Sequence, residues 1–169
     1  MKRSIAFFVS YARDDTRLAA DLLERLRKMM VPSKFYSYNL WRDTALLPGE
    51  DWDSEIRAAL RASQLGLLLI SPAFLGSDYI KKVELPFFLG DGEKPVIPVL
   101  LEPIDFARQD LRGLERKQIF GLQAGGRKGL RAFADCRGPE RRKFVEVLFR
   151  QIELRLDKIF AASPAGGLP

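Results

Sequence analysis

Apolar residues recur along this chain in two alternating rhythms. Ile5-Ala6-Phe7-Phe8-Val9 is a short, continuously apolar run, the pattern of a strand covered on both faces. Asp14-Asp15-Thr16 follow, acidic residues suited to a helix N-terminus, and Leu18, Leu22, Leu26 and Met30 then repeat at helical spacing until Pro32 stops the helix. Phe35 to Trp41 is aromatic-rich and reads as a second strand, with Pro48-Gly49 turning the loop behind it. Glu50, Asp51 and Asp53 open a helix that carries Trp52, Ile56 and Leu60 on one face. Leu65 to Ile70 reads as a third buried strand, closed by Ser71-Pro72. Ser77 can cap a short helix running to about Phe88, in which Pro86 should kink or end the regular bonding. Val96 to Leu101 is a fourth strand. Asp105 to Phe120 is ambiguous, and Gln118 to Gln123 can hold a fifth strand. Val145, Leu148, Phe149, Ile152, Leu156 and Ile159 mark a long amphipathic final helix.

Strand-like and helix-like segments therefore alternate, which predicts an α/β fold: a three-layer sandwich whose central parallel sheet of about five strands is flanked by helices. Ligands of such sheets sit beyond the carboxyl ends of the strands. The segments to examine are Ser10 to Arg13, Trp41 to Asp43, Ser71, and Ser77 to Glu84. Residues 161 to 169 have the Ala, Gly, Ser and Pro composition of a linker. The expected division is a domain over 1–160 and a tail that leads to a further module.

Composition narrows the chemistry. At 169 residues and 47% apolar, the chain suits one folded domain with a real core. Its apolar runs are too short to span a bilayer, and the start reads as a strand rather than a signal peptide. A single cysteine, Cys136, allows no internal disulfide and fits a reducing cytoplasm. The complete absence of histidine excludes Ser-His-Asp and Cys-His catalysis and histidine metal sites, so acid–base work falls to carboxylates, Tyr, Lys or Cys. The formal charge of +6 is uneven: residues 108 to 150 hold 12 Lys+Arg against 5 Asp+Glu, a net of +7. That basic third reads first as a solvated face or a self-assembly surface. No RNA-binding signature supports direct contact with nucleic acid. The loop Gly125-Gly126-Arg127-Lys128-Gly129 matches no P-loop and reads as a flexible connection.

Three segments at the strand ends resemble the TIR (Toll/interleukin-1 receptor) family. Phe7-Phe8-Val9-Ser10-Tyr11-Ala12-Arg13 resembles the family's first strand and the turn after it. Trp41-Arg42-Asp43, followed by Leu47-Pro48-Gly49-Glu50-Asp51-Trp52, resembles the second strand and the loop known as the BB loop. Leu68 to Leu75, then Ser77-Asp78-Tyr79-Ile80-Lys81-Lys82-Val83-Glu84-Leu85-Pro86, is similar to the third strand and the helix that bears the catalytic glutamate of NAD-consuming members. Lys94 to Leu100 is similar to the fourth strand, so the likeness covers roughly residues 4 to 104. The third segment most resembles bacterial TIR domains fused to sensor modules in anti-phage defence.

The resemblance implies a flavodoxin-like fold and an NAD⁺ hydrolase, a glycohydrolase and in some members a cyclase, acting as an immune effector. NAD⁺ is then substrate, with no cofactor or metal expected. Glu84 would be catalytic. Trp41 would pack against the nicotinamide, Arg13 would stand near the substrate, and Ser10, Tyr11, Asp43, Tyr79 and Ile80 would complete the binding site, with Asp43 expected to orient the loop through backbone donors. Leu47, Pro48, Gly49 and Glu50 would act in assembly, because related TIR domains complete one another's sites through the BB loop. Self-association and a fused or associated sensor module are the implied partners. One position departs from the pattern: members that cleave NAD⁺ often carry tryptophan four residues before the glutamate, and here that residue is Ile80, with Tyr79 just ahead of it. The aromatic wall is then shifted, supplied by Tyr79, or missing.

The chemistry is consistent with these residues. Cleaving the nicotinamide–ribose bond leaves an oxocarbenium-like carbon, which a carboxylate stabilises as in glycosidases. At helical spacing Ile80, Glu84 and Phe88 share a stripe, so Glu84 would be an acid on an apolar face, costly unless it has a purpose or a partner. The residues alone leave open a rim glutamate paired with a neighbouring lysine. Two other function classes compete. A non-catalytic scaffold joining TIR domains is favoured by Ile80. A phospho-receiver shares the layout but needs an aspartate at the end of the third strand, where this chain has Leu69-Ile70-Ser71.

Overall fold

The computed structural model describes residues 1–42, 48–90, 94–123 and 129–162. Four apolar runs become four parallel strands: β1 (Arg3–Ser10), β2 (Tyr36–Trp41), β3 (Leu65–Ile70) and β4 (Val96–Leu100), in the order β2-β1-β3-β4. β1 pairs with β2 on one side and β3 on the other, so the sheet reverses its winding direction at β1. The register carries Phe8 opposite Trp41 and Ser10 opposite Leu68, which aligns the carboxyl ends of the central strands.

Helices cover both faces. Ile5, Phe7, Val9, Leu67, Leu69 and Val99 point toward α1 (Thr16–Met30) and α5 (Pro139–Ala162). Phe8, Leu68, Ile70 and Leu100 point the other way, toward α2 (Trp52–Ala62), α3 (Pro72–Gly76) and α4 (Leu85–Leu89). Every residue of β3 is buried, which is why its sequence is apolar without alternation. The sheet is therefore a flavodoxin-like sandwich, as its pattern predicts. No helix is long and apolar enough to cross a membrane among the described residues.

Three expectations change. The fifth strand shrinks to one parallel bridge, in which Phe120 N–H donates to Pro98 O (2.8 Å) and Leu100 N–H donates to Phe120 O (2.8 Å). Pro98 is tolerated in β4 because its nitrogen faces that side, where the neighbouring segment supplies a donor and needs none from it. The chain then leaves the sheet to form a small antiparallel pair, β5 (Leu122–Gln123) with β6 (Leu130–Arg131). Asp15 sits at the start of α1 but its side chain makes no cap bond there. Its carboxylate instead accepts from the Ser71 hydroxyl at the end of β3. Finally, Ser71 caps a separate short helix, α3, through Phe74 N–H (3.0 Å), and the Ser77-capped segment begins afterwards.

Two side chains close helix ends where the sheet needs them. Asp51 accepts from Ser54 N–H at the start of α2. Lys94 spends its three ammonium donors on the carbonyls of Leu60, Arg61 and Ser63 at the end of α2, at 2.6–2.8 Å. Cys136 is fully buried, and burial pushes its thiol pKa up.

Candidate active site

The carboxyl ends of β1 and β2 open into a cavity of about 580 Å³. This is the edge of the sheet's switch point, where α/β folds of this order leave a crevice. Five segments supply its walls: the end of β1, the turn Ala12 to Asp14, Trp41 at the end of β2, the first turns of α2, and the stretch from Ala73 to Glu84.

Glu84 is the buried acid among these lining residues, with 8% of its surface exposed. It accepts a hydrogen bond from the hydroxyl of Ser10, the last residue of β1. The Ser10 hydroxyl gives the buried carboxyl a neutral donor partner at the cavity wall. The local backbone explains the placement. Ser77 caps the segment by accepting from Ile80 N–H (3.3 Å). Pro86, two residues beyond Glu84, offers no N–H, and the turn before it widens into a π-helical turn over Ile80–Glu84, closed by Leu85 N–H donating to Ile80 O. Ile80, Val83, Leu85 and Phe88 still pack into one core cluster around it. Glu84 is thus held from inside by Ser10 rather than standing on a solvated rim.

Trp41 forms a second wall. Its ring stacks on that of Phe8, with centroids 5.2 Å apart and planes 18° apart, and Phe8 is itself buried. An indole fixed flat in this way is a platform for another planar ring. Tyr79 donates its hydroxyl to Asp53 (3.0 Å) and tilts against Trp52 with centroids 4.5 Å apart. Burial and the Asp53 carboxylate raise the Tyr79 phenol pKa, so it remains a donor. Asp53 is held below the usual carboxylate range, first by Arg57 and then by Tyr79. The Arg13 guanidinium lies over Trp52, 5.4 Å from the ring centroid.

Of the residues singled out from sequence, Tyr11, Arg13, Trp41, Tyr79, Ile80 and Glu84 all line the cavity, and Ser10 stands behind Glu84. Ile80 is buried and presents an aliphatic surface. Asp43 and Leu47 lie outside the described residues. Pro48, Gly49 and Glu50 are exposed and outside the lining, with Gly49 at φ +91°, where only glycine is unstrained.

Sequence reasoning missed Trp52. Its helical spacing with Ile56 and Leu60 placed it on the core face, and those two are buried, but Trp52 is 38% exposed at the cavity mouth. The available signal was its position in the first turn of a helix that begins beyond the strand ends. The Ser71–Asp15 pair was missed too. Burial raises the Asp15 pKa, and burial with the charges of Asp15 and Asp135 raises that of Glu102. Among the described residues no group of three or more His, Cys, Asp or Glu side chains is placed to hold a metal ion.

The arrangement joins a buried glutamate, a neutral donor behind it and a flat aromatic wall. It can steady a developing positive charge while a planar ring is held by stacking. Comparison with curated proteins finds no match. A family model described as TIR domain matches residues 7–153, which includes every wall of this cavity.

Proposed function

Since the chain belongs to the TIR domain family, we propose that it is an NAD⁺ glycohydrolase, in which Glu84 stabilises the cation formed at the ribose carbon as nicotinamide departs. The observation that carries this reading is a buried glutamate, bonded to Ser10, on the wall of a cavity that Trp41 also lines. Cleavage by this route releases a neutral leaving group from a cationic one and asks for no histidine and no metal. Ser10 keeps the carboxylate oriented, and Trp41 offers the stacking surface for nicotinamide. The cavity volume falls in the range of roughly 300–1,000 Å³ usual for small-molecule sites. Activity is proposed to depend on self-association through the exposed Pro48-Gly49-Glu50 segment, with an immune or anti-phage role in the cytoplasm under a fused or associated sensor.

The test is nicotinamide release from NAD⁺ at rising protein concentration, for the parent and for Glu84→Gln. Removing an electrostatic stabiliser of this kind costs about 10²–10³ in rate. Release that rises faster than linearly in the parent and drops by that factor in the variant is the expected result. Equal rates for the two would sink the mechanism. A scaffold without catalysis is the second reading, favoured by the aliphatic Ile80 at the wall where an aromatic would be expected. It requires that neither protein release nicotinamide at any concentration, while both still assemble.

A further inference from the structure

Glu84 and Trp41 account for one end of a substrate, and the mouth of the same cavity carries a second set of recognition groups. Trp52 heads α2, yet it is 38% exposed while Ile56, four residues on, is buried. The indole is propped by Tyr79 at 4.5 Å and by the Arg13 guanidinium at 5.4 Å, and Tyr79 is tied in turn to Asp53. No ion pair joins Arg13 to a carboxylate among the described residues, whereas Asp53 is engaged by Arg57 at 2.8 Å. An exposed, immobilised indole is a surface for a planar base. A guanidinium held beside it matches the paired oxygens of a phosphate better than any other side chain.

We propose that Arg13 and Trp52 form a second subsite, which takes an aromatic nucleobase carried on a diphosphate. In a dinucleotide this is the half that does not depart. The assignment deepens the NAD⁺ reading and rests on it for the direction in which substrate lies, with the scissile bond at Glu84 and the diphosphate toward the mouth. It makes the protein selective for dinucleotides over mononucleotides, because only a dinucleotide carries a second base for Trp52 and a diphosphate for Arg13.

ADP is the probe, since it carries the base and diphosphate but lacks the nicotinamide–ribose bond. Titration calorimetry would compare the parent with Trp52→Ala, Trp52→Phe and Arg13→Gln. Both altered residues are solvent-accessible, and thermal melting checks that each variant keeps its fold. The expected result is binding by the parent, about tenfold or weaker affinity in Trp52→Ala and Arg13→Gln, and affinity within about threefold in Trp52→Phe, which keeps a ring. No binding of ADP by the parent at millimolar concentration, or parent-like affinity in either Trp52→Ala or Arg13→Gln, overturns the subsite. A parent that binds ADP as expected but releases no nicotinamide overturns the cleavage reading and leaves the subsite standing.

Discussion

Two serines at strand ends each donate to a buried carboxylate, Ser10 to Glu84 and Ser71 to Asp15, yet the two acids face different surroundings. Asp15 lies near other acids, and its pKa is raised, chiefly by burial. A carboxyl whose folded pKa exceeds its unfolded value favours folding in its protonated form. Its stabilising contribution is therefore full below the ordinary aspartate range and is lost as pH rises through the raised value. Asp15→Asn keeps an acceptor for Ser71 and never ionises. The variant should match the parent's melting temperature near pH 3 and exceed it increasingly toward pH 7. Thermal melts across that range check this, and a constant difference would contradict it. Glu102, raised partly by the Asp15 charge, should shift back toward its ordinary value in the same variant.

At the scale of elements, Glu84 depends on how α4 lies against the sheet. Phe88 is fully buried over β3, where Gly66 has no side chain, and a Cβ there would stand 2.6 Å from the Phe88 ring. Gly66→Ala therefore forces the ring or the helix to move. Overpacking of this kind costs about 1–3 kcal/mol. The melting temperature should fall by about 2–4 °C for each of those kcal/mol; an unchanged melt would mean that α4 yields freely. The strands β1, β3 and β4 were legible because burial on both faces leaves continuous apolar runs. The fifth was legible in place, at Gln118 to Gln123, but not in extent, because a single bridging residue, Phe120, creates no periodic pattern. The widened turn over Ile80–Glu84 was also hidden, since one extra residue leaves the apolar spacing almost unchanged; only Pro86 hinted at it. Glu84 itself was legible as an acid among apolar neighbours, whereas Trp52 was not, because helical spacing reports a face and not how far the first turn projects beyond the core.

Over the whole molecule, α5 is fastened to the far edge of the sheet as well as to α1. Tyr36 donates to Asp157 (2.5 Å), Tyr38 to Glu153 (2.9 Å), and Ser33 to Glu153. Burial, with these carboxylates, pushes the Tyr36 phenol up to about 12 and raises that of Tyr38, so both stay donors over any ordinary pH. Arg141 holds Asp21 of α1 at 2.5 Å. A chain ending at Ile152 keeps the Arg141–Asp21 pair but loses Glu153, Asp157 and the buried Leu156. Buried leucine and tyrosine contacts together are worth about 5 kcal/mol or more, so the melting midpoint should drop by at least about 10 °C. A chain cut there that melts like the parent would show the zipper to be idle. The same fastening brings Arg3 over the ring of Phe160, 4.0 Å from its centroid. The two ends of the folded unit therefore meet at the amino pole of β1, while the cavity opens at the carboxyl pole of the same eight-residue strand, roughly 23 Å away at about 3.3 Å per residue. Handle and working face are at opposite ends. A tether leaving the folded unit beside Arg3 or Phe160 starts at the pole opposite the mouth of the cavity.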